Sequence, residues 1–349
     1  MTATRVFDDR VTAIIVNYRT PELALECAAA VARERAALPN LRIMLVDGGS
    51  GDGSAEKLAA GIADASHADC VTLLPLAFNG GFGWANNQAI RRALQQAEPA
   101  EFVFLVNPDA IIDPGALALL VEAMRAEPRA ASAGSLLIGP LGWPVGSAFE
   151  FPTVASEFFR GANTPLLQRL AGVRVGTVEA EATQEVEWVT GASVLLRATA
   201  LRECGLFDEG FFLYFEEVEL MHRLGVAGWK ALHVPASRVR HLGGASTGVV
   251  DGSSTQSRLP AYWFQSRRRY FSRVHGPAKA RLAAVAWAAG YSIWRVRELV
   301  GLGRRSAHAP HELRDLWRTG IGATAFDRQQ AVARWDGPLD ELPAWAARA

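Results

Sequence analysis

The amino-terminal half of the chain alternates short apolar segments with longer amphipathic ones, and this alternation limits the fold more than any other feature. Apolar, β-prone runs begin at Val11, Leu41, Val71 and Phe102, and a helix-like segment separates each run from the next. Strands that are joined through helices pair in parallel, with right-handed crossovers. The sequence therefore predicts an α/β fold with a doubly wound, mostly parallel sheet and helices on both faces.

The second half of the chain is less regular. Residues 139–185 are predicted to form an irregular insertion, and a helix is predicted to begin near Glu216. A tract rich in Gly, Ser and Thr runs to about Ser257 and has the composition of a mobile loop. Residues 258–300 have a helical pattern, so we expect a C-terminal helical appendage.

The overall charge argues against a nucleic-acid partner. Lys plus Arg number 36, Asp plus Glu also number 36, and the formal net charge is zero. Locally, Arg267, Arg268, Arg269 and Arg273 lie in a stretch without acidic residues, which indicates an anionic partner or surface. The three cysteines are far apart and lack ligand spacing, as expected of buried thiols in a reducing compartment.

The sequence predicts a cytoplasmic protein. Its amino terminus is polar and charged and is followed by a strand, so no signal peptide is expected. The apolar segment Leu282–Trp294 is too short to span a bilayer, which needs about 20 residues. Two placements of the C-terminal helices stay open. They lie on the inner face of the cytoplasmic membrane, with arginines at anionic headgroups, or they pack on the preceding domain with an exposed basic face.

A carboxylate follows the most apolar strand directly. The run Phe102–Val106 ends at Asn107, Pro108 and Asp109, so Asp109 is delivered to the carboxyl end of a buried strand, where ligands collect in open parallel sheets. Such a unit can hold Mg²⁺ or Mn²⁺ against a diphosphate, because hard oxygen ligands and phosphates complete an octahedral shell. The alternative is an Asn-Pro turn with a solvated aspartate.

A dehydrogenase is a competing interpretation from another enzyme class. Gly81 and Gly83 precede a predicted helix and imitate part of a dinucleotide fingerprint. That fingerprint follows the first strand of its unit and has a third glycine three residues later. Here the glycines follow the third predicted strand and Asn86 takes the third position, so the sequence argues against this interpretation.

Seven separated motifs, within roughly residues 10 to 245, resemble those of glycosyltransferase family 2 in kind and order. They are VNYRTPE, VDGGSGDGS, FNGGFGWANN, NPD, WVTGA, FDEGFFLYFEEVEL and RHLGG. The chain is most similar to the bacterial rhamnosyltransferase-like branch, which has a GT-A fold. This resemblance implies a catalytic domain of residues 1–257, with a nucleotide-binding half of about 1–137 and an acceptor-side half of about 138–257. Residues 258–349 would form the helical appendage.

The resemblance also implies where a nucleotide-sugar donor binds. Tyr18 would pack on a pyrimidine base and Asp47 would accept a hydrogen bond from it. Asn79, Gly80 and Gly81 would form a loop that approaches the sugar nucleotide. The remaining donor-binding residues implied are Asn87 and Asn107.

The metal site implied by the resemblance consists of Asp109 and His241. Asn107 stands where many relatives place the first carboxylate, and an amide brings no charge to a cation. His241, at the end of VPASRVRH, matches the position from which some relatives supply a ligand.

The motif LYFEEVEL supplies the candidate base. By resemblance the role falls to Glu217, with Glu216 as a competitor, because relatives usually have Glu-Asp there. Three acids around one helix start, at Glu216, Glu217 and Glu219, should raise the pKa of a carboxylate toward the range in which it works as a base. In isolation, such acids more often stabilise the positive end of a helix.

The acceptor side is implied by EWVTGA, where Trp188 could stack on a sugar ring and Gly191 lies beside it. Core packing explains a tryptophan about as often. The sequence thus predicts an inverting, metal-dependent glycosyltransferase that moves rhamnose from dTDP-rhamnose to a hydroxyl of a cell-surface polysaccharide or polyprenyl-linked saccharide. The alternatives are a UDP-hexose or UDP-galactofuranose transferase and a noncatalytic sugar-nucleotide-binding protein.

Overall fold

The regular elements of the amino-terminal half follow the predicted alternation. The computed structural model describes residues 5–173, 175–243, 258–302, 308–321, 331–343 and 346. Its strands are β1 (Val11–Asn17), β2 (Arg42–Asp47), β3 (Val71–Pro75), β4 (Phe102–Val106), β5 (Ala110–Ile112), β6 (Ala130–Ile138), β7 (Ala148–Phe149), β8 (Gln184–Val186), β9 (Trp188–Val189), β10 (Ser193–Arg197) and β11 (Lys230–His241). Its α-helices are α1 (Pro21–Ala32), α2 (Ser54–Ala63), α3 (Phe82–Gln95), α4 (Ala116–Ala126), α5 (Val154–Ala162), α6 (Pro165–Leu170), α7 (Ala198–Cys204), α8 (Glu216–Val226), α9 (Ala261–His275), α10 (Pro277–Leu299) and α11 (Glu312–Leu316).

The central sheet has the strand order β3-β2-β1-β4-β10-β6-β11-β5, and β8 pairs with β11. The strands from β3 to β4 in this order are parallel, as the helices between them require. β10 then runs antiparallel between β4 and β6, while β11 is parallel to β6. The predicted α/β fold is confirmed, with a sheet that is parallel in its amino-terminal half and mixed beyond β4.

Helices cover both faces of this sheet. Along β1, Ala13 and Ile15 belong to one buried cluster, which α1 and α4 complete. Ile14 belongs to the opposite cluster, with residues of α3, α7 and α8. Because successive side chains of a strand point to opposite faces, this separation shows two apolar layers and explains why β1 is apolar at nearly every position.

The carboxyl ends of three parallel strands meet at one edge. Asn17 pairs in register with Asp47 across β1 and β2. Ile15 pairs with Val106, the residue before Asn107, across β1 and β4. The sheet therefore presents Asn17, Asp47 and Asn107 along a single edge, the position at which ligands bind in open α/β folds.

The tract of residues 139–185 is more regular than predicted, because it contains α5 and α6. Thr153 caps α5: its hydroxyl accepts from Ser156 N–H at 3.0 Å, and the Ser156 hydroxyl accepts from Thr153 N–H at 2.7 Å. α5 has only 9 residues, and so short a helix depends on tertiary packing for its stability. The prediction of an irregular tract was wrong here because α10, the helix that packs against α5, is distant in sequence.

Three of the four clustered arginines are buried or half-buried in ion pairs. Arg267 pairs with Glu157, and Arg269 and Arg273 both pair with Asp208 at 2.7 Å. The side chain of Arg267 is 1 % exposed and that of Arg269 is 6 % exposed. The predicted basic surface is therefore wrong for these three, since their acidic partners come from distant segments.

The segment 331–343 lies across α3 and the loop after α7. Trp84 Nε1 donates to Glu341 O at 2.7 Å, and Leu206 N–H donates to Ala333 O at 2.8 Å. Ala333 is buried in the same apolar cluster as Trp84. Part of the C-terminal appendage thus completes the cover of the amino-terminal half.

Two expectations concern the remaining segments. Within the ranges that the structure describes, no helix has both the length and the apolar character needed to cross a membrane. The predicted mobile loop before Arg258 falls on residues 244–257, which lie outside the described residues.

α5 and α10 approach each other closely through two glycines. A Cβ atom on Gly161 would lie 2.3 Å from the carbonyl oxygen of Trp287. A Cβ atom on Gly290 would lie 2.1 Å from that of Phe158. Both obstacles are backbone atoms, so any side chain at these positions must push the helices apart.

We expect Gly161→Ala and Gly290→Ala each to lower the free energy of unfolding by about 1–3 kcal/mol, the usual effect of overpacking. Gly225→Ala in α8 is the matched control, because a Cβ there meets no atom within 4 Å and alanine favours a helix by up to about 1 kcal/mol. Urea denaturation measures all three. Equal stabilities of the Gly161 and Gly225 variants would contradict the close contact.

Candidate functional site

A buried aspartate at the end of β2 anchors the first part of the site. Asp47 is 3 % exposed, and its Oδ1 accepts hydrogen bonds from Asn17 Nδ2 at 2.9 Å and Ser50 Oγ at 2.6 Å. Its Oδ2 accepts from Ser50 N–H at 3.1 Å. Since a carboxylate oxygen can accept two hydrogen bonds, Oδ2 retains capacity for a ligand donor. Asn17 and Ser50 were not predicted as site residues, although they lie inside the motifs VNYRTPE and VDGGSGDGS.

Tyr18 follows β1 directly and is half-buried. The guanidinium of Arg19 lies over its ring, 5.0 Å from the centroid. Arg19 has a φ of 60° and donates from its N–H to Ser50 Oγ at 3.0 Å. Protein therefore covers one face of the Tyr18 ring, and stacking on a base would have to use the other.

Asn79, Gly80 and Gly81 form a tight turn before α3. Asn79 Oδ1 accepts from Gly81 N–H at 3.0 Å, and Gly81 has a φ of +89°, which strains any residue with a side chain. A Cβ on Gly81 would lie 2.0 Å from Phe212 O, and Phe82 N–H donates to this oxygen at 3.0 Å. The turn is therefore pressed against the segment that leads into α8.

The loops after β2 and β3 also touch. Gly49 has a φ of +72°, and a Cβ there would lie 2.3 Å from the backbone carbon of Phe78. This contact joins the Asp47 pocket to the turn at Gly81, so the predicted donor-binding residues of both loops line one region.

Asn87 has a different task from the direct donor contact that was predicted. It is fully buried, and its Nδ2 donates to Phe207 O at 3.0 Å and to Glu209 Oε1 at 2.9 Å. Its Oδ1 accepts from Phe207 N–H at 3.0 Å. Both amide donors are used within the protein, so Asn87 holds the loop after α7 in place.

Asp109, His241 and Asn107 meet at the end of β11. Ala110 pairs in register with His241, which places His241 Nε2 3.3 Å from Asp109 Oδ1. Asn107 Nδ2 lies 3.3 Å from the same nitrogen. The side chains of Asp109 and His241 are 6 % and 17 % exposed, so the pair is largely enclosed.

The pair formed by Asp109 and His241 fits a divalent cation. Carboxylate oxygen and imidazole nitrogen are both ligands of such ions, and two ligands at about 2.1 Å and at right angles lie about 3 Å apart. The observed 3.3 Å is close to this separation. Across the described ranges, no group of three or more His, Cys, Asp or Glu side chains is arranged to hold a metal. The two residues would therefore need oxygen atoms from a ligand or water to complete the shell.

Glu216 and Glu217 occupy the first turn of α8, and each has its Oε2 atom buried without a hydrogen-bond partner among the described residues. Burial raises the pKa of Glu217, although the N–H groups of Glu217, Gly191 and Val218 favour its ionised form. Burial, and then the charge of Glu217, raise the pKa of Glu216 well above its usual range. The pKa values of both carboxyls are thus shifted in the direction expected of a general base.

Residues 191–192 connect these acids to the strand end at Asn107. A Cβ on Gly191 would lie 3.9 Å from Glu217 Cβ. The next residue, Ala192, accepts at its carbonyl oxygen from Asn107 N–H at 3.0 Å. The candidate base and the candidate metal residues therefore flank the same dipeptide, and the predicted single site is compatible with this geometry.

The third acid of the cluster belongs to another network. Glu219 accepts from Arg223 at 2.9 Å and lies 3.5 Å from Arg273. An arginine partner favours the ionised form and holds the side chain in place. This pairing sets Glu219 apart from Glu216 and Glu217.

Trp188 is half-buried and packs against other residues of the protein. Its ring stacks on Phe149 with 4.3 Å between centroids, and its Nε1 donates to Glu150 O at 3.0 Å. This arrangement favours the packing interpretation over direct stacking on an acceptor sugar. Gly191, by contrast, lies between Phe82 and Glu217, beside the candidate base.

This chain is similar to known proteins in sequence and in fold. The family model described as glycosyl transferase family 2 matches residues 12–163. The N-acetylglucosaminyl-diphospho-decaprenol L-rhamnosyltransferase of Mycobacterium tuberculosis is 32 % identical over 214 residues, which are 59 % of this chain and 68 % of that protein. Rhamnosyltransferase WbbL of Escherichia coli K12 is 26 % identical over 199 residues, 55 % of this chain and 70 % of that protein.

A solved structure shares the fold. The mannosyltransferase PcManGT from Pyrobaculum calidifontis, in complex with GDP-Man and Mn²⁺, matches with a TM-score of 0.52 at 16 % identity, over 86 % of this chain and 78 % of that chain. The match confirms the GT-A architecture that the motifs predicted. On the sequence relatives and this shared fold, the chain is a glycosyltransferase that belongs to glycosyltransferase family 2, in its rhamnosyltransferase-like branch.

Proposed function

We propose that this chain transfers rhamnose from dTDP-rhamnose, with inversion, to a hydroxyl of a lipid-linked or cell-surface saccharide. The rhamnosyltransferase relatives support the sugar, and the decaprenol-linked substrate in the name of the mycobacterial relative supports the acceptor class. The observation that carries the proposal is the dipeptide 191–192, which brings Glu217 and Asn107 to one place.

Different side chains bind the donor and activate the acceptor. Asp47, oriented by Asn17 and Ser50, accepts a hydrogen bond from the base of the donor. Glu217 takes the proton of the acceptor hydroxyl as that hydroxyl attacks the anomeric carbon, and its raised pKa suits this role near neutral pH. A single in-line attack from the side opposite the leaving nucleotide inverts the configuration.

Asp109 and His241 are the residues that would hold Mg²⁺ or Mn²⁺, with Asn107 beside them. A bound dication supplies charge stabilisation to the departing diphosphate. The Mn²⁺ in the complex of the mannosyltransferase that shares this fold supports a metal-dependent reaction.

A UDP-hexose or UDP-galactofuranose donor is the alternative within the same fold, because Asp47 can accept from either pyrimidine base. The noncatalytic alternative is not supported, since the chain belongs to a family of transferases and both candidate bases are enclosed carboxyls.

Peripheral contact with the inner face of the cytoplasmic membrane is part of the proposal, but its support lies on α10 and not on the buried arginines. Lys279 and Arg281 are exposed on this helix. A row of apolar side chains on one side of α10 is 42–78 % exposed: Leu282, Val285, Ile293, Val296 and Leu299. An exposed apolar stripe with basic residues beside it is typical of helices that lie in a membrane interface.

Glu217→Gln is expected to slow transfer roughly 100- to 10,000-fold, because an amide cannot accept the proton. Affinity for dTDP, measured by isothermal titration calorimetry, should stay near wild type. In the wild-type enzyme the rate should rise with pH through the raised pKa of Glu217, since the ionised carboxylate is the active form. Glu216→Gln is the matched comparison on the same turn, and loss of transfer in that variant only would assign the base to Glu216.

EDTA is expected to abolish transfer and Mn²⁺ to restore it, because Asp109 and His241 would hold the cation. In Asp109→Asn, the affinity for dTDP should lose most of its dependence on Mn²⁺. Asp113→Asn is the control, since Asp113 is 45 % exposed and faces Arg240 at 3.9 Å. A metal response in Asp109→Asn equal to that of the control would refute the metal assignment.

The donor nucleotide can be tested by thermal shift with dTDP, UDP and GDP, each with Mn²⁺. We expect dTDP to raise the melting temperature most, because ligands that bind the folded state stabilise it in proportion to the logarithm of concentration over Kd. A larger shift with UDP would favour the UDP-sugar alternative, and GDP as the strongest ligand would contradict the pyrimidine pocket at Asp47.

A further inference from the structure

The turn before the candidate base is strained. Tyr214 and Phe215 have φ angles of 70° and 68°, and Phe215 is the N-cap of α8. Residues with side chains reach this left-handed region only at a cost in free energy. Two in succession, directly before Glu216 and Glu217, require neighbours that hold them there.

One stripe of α9 contacts this segment along its length. Tyr262 packs on the rings of Phe212 and Tyr214, with centroid distances of 5.3 Å and 6.1 Å. Ser266 Oγ donates to Leu213 O at 2.8 Å. Positions 262, 266, 269 and 273 lie on one face of a helix, because side chains three or four residues apart are neighbours.

The C-terminal part of the stripe consists of two arginines. Arg269 donates to both oxygens of Asp208, at 2.7 and 2.9 Å from Nη2 and at 3.1 Å from Nε. Arg273 lies 2.7 Å from Asp208 Oδ2 and 3.5 Å from Glu219 Oε1. Asp208 precedes the strained turn and Glu219 follows it within α8, so Arg273 spans the two ends of the segment.

The same ion pairs distinguish two kinds of acid around the site. Asp208 and Glu219 have arginine partners, and Arg223 adds a second one to Glu219. An arginine beside Glu217 would lower its pKa and weaken it as a base. In the part of the chain that the structure describes, the salt bridges of Arg223, Arg269 and Arg273 end on the other two acids, and no arginine contributes to the raised pKa of Glu217.

We propose that α9 holds the strained turn at Tyr214 and Phe215 in place, and that Arg269, Arg273 and Ser266 are positioning residues that aim the Glu217 carboxylate at the acceptor. This inference rests on the proposed role of Glu217. It assigns the C-terminal helices, beyond the residues that the family model matches, a part in the rate of the reaction.

The same helix offers a matched control. Arg267 is also buried, at 1 % exposure, and is also ion-paired, but its partner is Glu157 on α5. It makes a further hydrogen bond to Ala283 O at 3.2 Å. Replacing Arg267 thus removes a buried guanidinium from α9 without touching the stripe.

The test compares Arg269→Lys, Arg273→Lys and Arg267→Lys in the full chain, with kcat, KM and dTDP affinity measured at equal folded fraction. Lysine keeps the charge but cannot make the forked contact. We expect roughly 10- to 100-fold lower kcat in the first two variants, the effect of a misplaced catalytic group, with dTDP affinity within about twofold of wild type. Arg267→Lys should keep the wild-type kcat.

Ser266→Ala is the milder variant if a lysine variant fails to fold, and it should lower kcat without changing dTDP affinity. Wild-type kcat in the stripe variants, or an equal loss of kcat in Arg267→Lys, would overturn the proposed role of α9. Inactive Glu217→Gln together with fully active stripe variants would refute only the proposed role of α9. Active Glu217→Gln would refute the proposed base itself.

Discussion

The meeting of β4 and β10 is the constraint on which the site depends. Ser193 pairs in register with Val106, and the hydrogen bond from Asn107 N–H to Ala192 O extends this pairing by one step at 3.0 Å. Because β10 is antiparallel, its beginning lies beside the end of β4. The strand that ends at the metal candidates is thereby joined to the dipeptide that touches Glu217.

Burial and ion pairing then give similar acids different properties. Asp208 and Glu219 are buried with arginines, which offset the cost of removing their charges from water. Glu216 and the Oε2 atom of Glu217 are buried without such partners among the described residues, and the pKa values of both carboxyls rise. Four of the five acids within twelve positions of one motif thus divide into anchors and candidate bases according to what packs against them.

The fold class was accessible from the sequence because the relevant signals are local. The apolar runs at β1 to β4 and the helices between them have clear periods, and strands that are joined through helices pair in parallel. The motif order also identified the family. The helix α5 escaped prediction because its stability depends on α10, which lies far along the chain.

The candidate site was predicted unevenly for the same reason. The family resemblance indicated Asp47 and Glu217, and the position of Asp109 just after β4 indicated a ligand at the carboxyl end of the sheet. The sequence by itself thus determined the parallel half of the sheet, the family and the candidate acids. Only the tertiary structure decided that Asn87 is an internal brace, that Trp188 packs on Phe149 and that the arginines of α9 face inward. These outcomes depend on contacts between distant segments, and the local sequence pattern does not determine which side chains will contact each other.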